Sequence, residues 1–158
     1  MTKELKTVQD VEMEVQTIIE SIPTENTNRS AIISEAEACK NGISDILFAS
    51  KKITTIVLCV SGKGILRASV LSSDEINIDH LAAFDGAGSE LIEELKKKAK
   101  GMNAVKITLC AAGNGDTLDA KDKSQKKLIE YYKTKGFTQE SSTGGRMFCN
   151  IYNLKERL

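Results

Sequence analysis

The chain has one proline and one histidine in 158 residues, and no Cys-x-x-Cys pair. It also has no apolar run of about 18 residues, so no segment reads as membrane-spanning. Each absence removes a class of protein. Without clustered Cys or His ligands the sequence makes no case for a metal centre. The four cysteines, Cys39, Cys59, Cys110 and Cys149, lie far apart and read as buried, reduced thiols, not as a disulfide framework. The start, Met1-Thr2-Lys3-Glu4, is polar and leads into no apolar signal core, which gives a cytoplasmic reading. Excess charge is missing too: 22 basic and 22 acidic residues cancel. That removes the electrostatic argument for a nucleic acid or an anionic membrane as partner.

What is present is ordinary globular material, with 41% apolar and 28% charged residues. A length of 158 residues suits one domain, taken as residues 1–158, with a core of useful size. Leu5 and Lys6 read as a short opening strand. Val8, Val11, Val15, Ile18, Ile19 and Ile22 then recur at helical spacing, with Thr7 and Asp10 as a capping box. A loop around Pro23 leads to a second helix over 30–41, with Gly42 at its end.

The period then changes to that of strands. Residues 54–60 and 65–71 are β-branched apolar runs separated by Ser61-Gly62-Lys63-Gly64, a hairpin signal, and 76–84 makes a third strand. Leu91, Ile92, Leu95 and Ala99 mark the buried stripe of a helix starting near Gly88. A strand over 105–111, a helix over 124–135 and two strands over 137–141 and 146–152 complete the chain. The order β-α-α-β-β-β-α-β-α-β-β predicts an α+β (mixed α/β) class, with a largely antiparallel sheet of six to seven strands and about four helices.

Two short stretches stand out chemically. Gly86-Ala87-Gly88-Ser89 follows a strand and opens a helix, where free amides and the helix dipole suit an anion. On its own the same pattern is equally a tight turn. Tyr131-Tyr132-Lys133-Thr134-Lys135-Gly136-Phe137 is a helix end with a glycine cap, and the cap does not explain a phenol one turn earlier.

Together these stretches resemble the GNAT N-acetyltransferase superfamily. Gln125, Leu128, Tyr132, Gly136 and Phe137 fall on the spacing of the family's closing motif, and 81–91, with Gly86 and Gly88, is similar to its acyl-CoA motif. The element order is the family's as well, and the resemblance covers nearly the whole chain, with 112–123 as an added loop. It implies transfer of an acetyl group from acetyl-CoA, a co-substrate, to a primary amine by direct attack on the thioester. In that picture the backbone of Leu81, Ala82 and Ala83 parts from the strand over 105–111 and binds the pantetheine arm. The amides of Gly86, Ala87, Gly88 and Ser89 hold the pyrophosphate, Gln125 stands with them, and Tyr132 protonates the CoA thiolate. Asp79 and His80, expected to face opposite sides of their strand, contain the general base between them.

Three departures from the family pattern stand in this sequence. Ala83 replaces the usual Arg or Gln three residues before the first glycine, the loop is several residues short, and Asp85, beside the glycines, reads as the helix N-cap. A catalytically inactive GNAT-like binding or regulatory module is the alternative reading. The amine acceptor is a small molecule or a peptide or protein amine, and the chain is a monomer or homodimer.

Overall fold

A computed structural model describes residues 1–49, 54–113 and 117–151. Its elements in chain order are β1 (Thr2–Leu5), α1 (Val8–Ser21), α2 (Arg29–Lys40), α3 (Asp45–Ala49), β2 (Thr55–Val60), β3 (Gly64–Val70), β4 (Glu75–Ala83), α4 (Ala87–Gly101), β5 (Lys106–Cys110), α5 (Leu118–Thr134), β6 (Thr138–Gln139) and β7 (Arg146–Asn150). The expected class and order hold, with α3 as an addition. The helix around Leu128 starts earlier than its periodicity suggests. Thr117 caps α5 by accepting from the Ala120 amide at 3.0 Å, so 118–123 is helix and not part of a loop. Its polar first turns hide there because they bury nothing. The opening strand ends at Leu5, so Lys6 lies outside it. Tyr152, expected in the last strand, lies outside the described residues.

The strands form one sheet in the order β1-β2-β3-β4-β5-β7-β6, in which only β4 and β5 run parallel. Alternation splits β2 between two core layers. Ile56, Leu58 and Val60 join the layer under α4 and α5, while Val57 and Cys59 join the layer under α1 and α2. Each helix delivers its apolar stripe to one layer: Val11, Val15 and Ile18 from α1, and Leu91, Ile92 and Leu95 from α4. The cap at Thr7 is present, with the Asp10 amide donating to its hydroxyl at 3.1 Å. The buried Glu14 accepts from the Gly62 amide at 2.7 Å and so ties α1 to the β2–β3 turn.

The feature that prepares a site lies in β4. Arg67 of β3 pairs with His80, but the next residue, Ala68, pairs with Ile78, so Asp79 is the extra residue of a β-bulge. Pairing of β4 with β5 runs from Glu75 opposite Lys106 to Ile78 opposite Leu109 and then stops. Past the bulge β4 continues to Ala83 paired with β3 only, while β5 stays with β7, and the two parallel strands part.

Candidate active site

The bulge decides what each residue of β4 faces. Ile76 and Ile78 point into the α4–α5 layer. Without a bulge, His80 and Ala82 would follow them. With the extra residue, Leu81 and Ala83 take that side and Ala82 goes to the α1–α2 layer. The expectation that Asp79 and His80 face opposite sides is thereby corrected. Asp79 accepts hydrogen bonds from the Ser69 hydroxyl and, at 2.8 Å, from the Asn77 amide, and His80 meets Glu35 of α2, so both stand on the α2 side.

That side holds a cavity of about 660 Å³ lined by Ala38, Asn41, Arg67, Asn77, Asp79, His80 and Cys110, among others. Asn77 and Asp79 of its lining belong to a run of cross-braced polar groups. The Thr108 hydroxyl donates to Asn77 at 2.9 Å, Asn77 donates to Asp79, and Lys106 pairs with Glu75 at 3.4 Å. The Arg67 guanidinium donates to the Asn41 carbonyl at the end of α2. His80 Nδ1 lies 3.0 Å from Glu35 Oε2, with both side chains more than a third exposed. Behind them Cys39 is fully buried, and burial, aided by Glu35, pushes its thiol up to about 12. It is inert at neutral pH. Cys110 is exposed at the end of β5.

At the other end of the parted strands lies the glycine loop. Phe84 O accepts from the Ala87 amide at 3.2 Å, with Asp85 at φ 54° and Gly86 at φ 81° between them. Two successive left-handed residues closed by that bond make a type I′ turn, for which Asp-Gly is a favoured pair. The expectation that Asp85 caps the helix is corrected. Gly86 is the N-cap of α4, and no side chain caps it. Asp85 is spent on the turn and is exposed. The Ala87 amide is used by the turn, and the amides that follow it at the start of α4 meet no capping side chain, beside the positive end of the dipole.

Gly88 has a second reason to be glycine. A Cβ there would collide with the Tyr131 hydroxyl, which reaches across from α5. The hydroxyl of Ser89 hydrogen-bonds Tyr131, an interaction outweighed by burial, which raises the Tyr131 pKa. A Cβ on Gly64 would stand 3.0 Å from the Ala87 Cβ and 3.1 Å from that of Ala83. Gly64, Ala83, Ala87 and Gly88 thus form a cluster of small residues through which the short loop draws α4 onto β3 and β4.

Tyr132 is buried in the α4–α5 layer, edge-on to Tyr131 and Phe137 with ring centroids 5.2 and 5.7 Å away. Burial drives its pKa well above the usual range, with Tyr131 and Glu35 adding to the effect. Glu35 belongs to α2, on the opposite face of the sheet. The Gln125 amide donates to the Ala111 carbonyl at 3.0 Å and holds the end of β5 beside β7.

Of the residues singled out in sequence, Asp79, His80, Leu81, Ala82 and Ala83 line one strand edge, and Gly86, Ala87, Gly88 and Ser89 form the turn and first helical residues beyond it. Glu35, Arg67, Asn77 and Tyr131 were not legible. The first three are ordinary polar residues on helix or strand faces. The signal for Tyr131 was a second phenol next to Tyr132, which periodicity assigns to packing. Among the described residues no group of three or more metal-ligating side chains comes together, and no helix is long and apolar enough to cross a membrane.

A mixed sheet whose two parallel strands part at a bulge, with helices on both faces, defines the class. No family model and no curated protein matches the sequence. Among solved structures the chain is similar to Ard1 from Thermoplasma volcanium, at TM-score 0.54 and 18% identity over 97% of this chain and 98% of that one. It is similar to an aminoglycoside 6'-acetyltransferase type Ii, at TM-score 0.58 and 12% identity over 97% and 98%. An aminoglycoside 6'-N-acetyltransferase complexed with coenzyme A gives TM-score 0.53 and 12% identity over 97% and 98%. The chain has the GNAT fold.

Proposed function

We propose that the chain is an acyl-CoA-dependent N-acetyltransferase acting on a primary amine. The observation that carries this reading is the parting of β4 from β5. It puts an unpaired strand edge between an uncapped helix N-terminus and a polar cavity of about 660 Å³. A thioester lying along that edge has its pyrophosphate at the first amides of α4 and its carbonyl at the cavity, where an amine attacks. That one of the similar proteins was solved with coenzyme A supports an acyl-CoA as the co-substrate.

The chemistry needs few groups. Asp79 or His80 takes a proton from the incoming ammonium, and the freed lone pair attacks the thioester carbonyl carbon. As the C–S bond breaks, the Tyr132 hydroxyl protonates the departing thiolate, and its phenolate recovers a proton released by the acylated nitrogen. The raised pKa of Tyr132 keeps the phenol in its donor form. The same dry surroundings raise the proton affinity of the thiolate, so the transfer stays matched.

Titration with acetyl-CoA, followed by thiol release with a panel of primary amines, tests the reading. Binding and amine-dependent thiol release are expected. Absence of binding at millimolar acetyl-CoA overturns it, and binding without release from any amine favours the inactive binding module.

A further inference from the structure

We propose that Glu35 is a positioning residue that fixes His80 as the general base of the acceptor cavity. The inference rests on the acyl-transfer reading and extends it to a residue outside the motifs. His80 is the single histidine of the chain. Its Nδ1 stands 3.0 Å from Glu35 Oε2, a contact made across 45 residues of sequence between α2 and β4. A carboxylate only accepts, so in the neutral imidazole Nδ1 carries the hydrogen and Nε2 keeps the lone pair. The bulge at Asp79 turns His80 toward α2 and makes it a wall of the cavity.

The neighbours of the ring explain why His80 and not Asp79 takes the role. Asp79 already accepts from Ser69 and Asn77, so its two carboxylate oxygens are each engaged by a neighbour on β3 or β4. From β3, Arg67 pairs with His80 in register, but its guanidinium is engaged by the Asn41 carbonyl. From α2 come Glu35 and the buried Cys39, whose sulfur lies 4.0 Å from the His80 carbonyl oxygen. From β5 comes the exposed Cys110. Glu35 is thus the anion paired with the ring, and it holds the ring so that Nε2 is the nitrogen that accepts the ammonium proton. The proton then passes from Nε2 to solvent before the next turnover.

Imidazole ¹⁵N NMR and kinetics test the proposal together. With one histidine the spectrum needs no assignment, and it is read without acetyl-CoA or amine. The wild-type neutral ring is expected as the Nδ1–H tautomer, and Glu35→Ala is expected to lose that preference. His80→Ala is expected to lower kcat by about 10²-fold or more, the range of positioned proton transfer. Glu35→Ala is expected to lower kcat by about 10-fold, with partial recovery in Glu35→Asp, as a fraction of the same contribution. In the His80→Ala background, Glu35→Ala is expected to add nothing, since the two act as a unit. Acetyl-CoA affinity is expected to stay within about twofold in all variants, because neither residue lies at the phosphate end. A wild-type Nε2–H tautomer overturns the role of Glu35, and so do losses that multiply in the double variant. Failure to bind acetyl-CoA overturns the underlying acyl-transfer reading instead.

Discussion

The two ends of the opening beside β4 are made of different material. The phosphate end is a cluster of small residues, Gly64, Ala83, Ala87 and Gly88, against which the Tyr131 hydroxyl is fitted. In the proposed reading an anion is held there by backbone amides and a helix dipole, with Asp85 close by and Ala83 where the family pattern has Arg or Gln. The acceptor end is a set of charged and polar side chains from α2, β3, β4 and β5, each held by another: Glu35 with His80, Asp79 with Ser69 and Asn77, Asn77 with Thr108, and Arg67 with the end of α2. One end works by the shape of the main chain and tolerates almost no added volume. In the proposed reading the other works by side-chain chemistry.

Tyr132, the proposed acid, gives the largest expected effect. Tyr132→Phe is expected to lower kcat by about 10²- to 10⁴-fold while leaving acetyl-CoA affinity nearly unchanged, since only a proton donor is lost. Steady-state kinetics beside a binding titration checks it, and an unchanged kcat would remove the acid from the mechanism.

At the phosphate end, Gly88→Ala is expected to cost about 1–3 kcal/mol of stability, the usual range for overpacking, measured by urea unfolding. Adding Tyr131→Phe removes the hydroxyl that the new Cβ strikes and is expected to recover part of that loss. Additive losses would show that Gly88 is glycine for its backbone and not for Tyr131.

The smallest effect belongs to the wall of the acceptor end. The Cys39 thiol has an ordinary value of 9.0 and is pushed up to about 12 in the fold. Between these values the folded chain keeps a proton that the unfolded chain releases. Its contribution to stability is therefore whole below pH 9 and declines as pH rises toward 12, by at most about 1.4 kcal/mol per pH unit. Urea unfolding at about pH 8.5 and 10.5 is expected to show a larger alkaline loss for wild type than for Cys39→Ala. Equal losses would mean that the thiol ionises without opening the fold.

The phosphate end was partly legible from sequence. Gly86 and Gly88 between a strand pattern and a helix stripe fix a turn and a helix start wherever they occur. The role of Asp85 was not legible, because an aspartate before a helix serves equally as a cap or as the first left-handed residue of an Asp-Gly turn. Loop length decides between them. At the acceptor end the sequence showed Asp79 and His80 adjacent, but strand alternation gave the wrong faces because a bulge carries no residue signature here.

By itself the sequence determined the element order, the buried stripes of the helices and the place of the glycine turn, since helical and strand periods and turn chemistry are local properties. Only the tertiary structure decided that β4 parts from β5, that Asp79 and His80 share a face, that Tyr131 reaches Gly88, and that Glu35 meets His80. Each of these depends on register between strands or on contact between elements far apart in the chain, and neither is set by local composition.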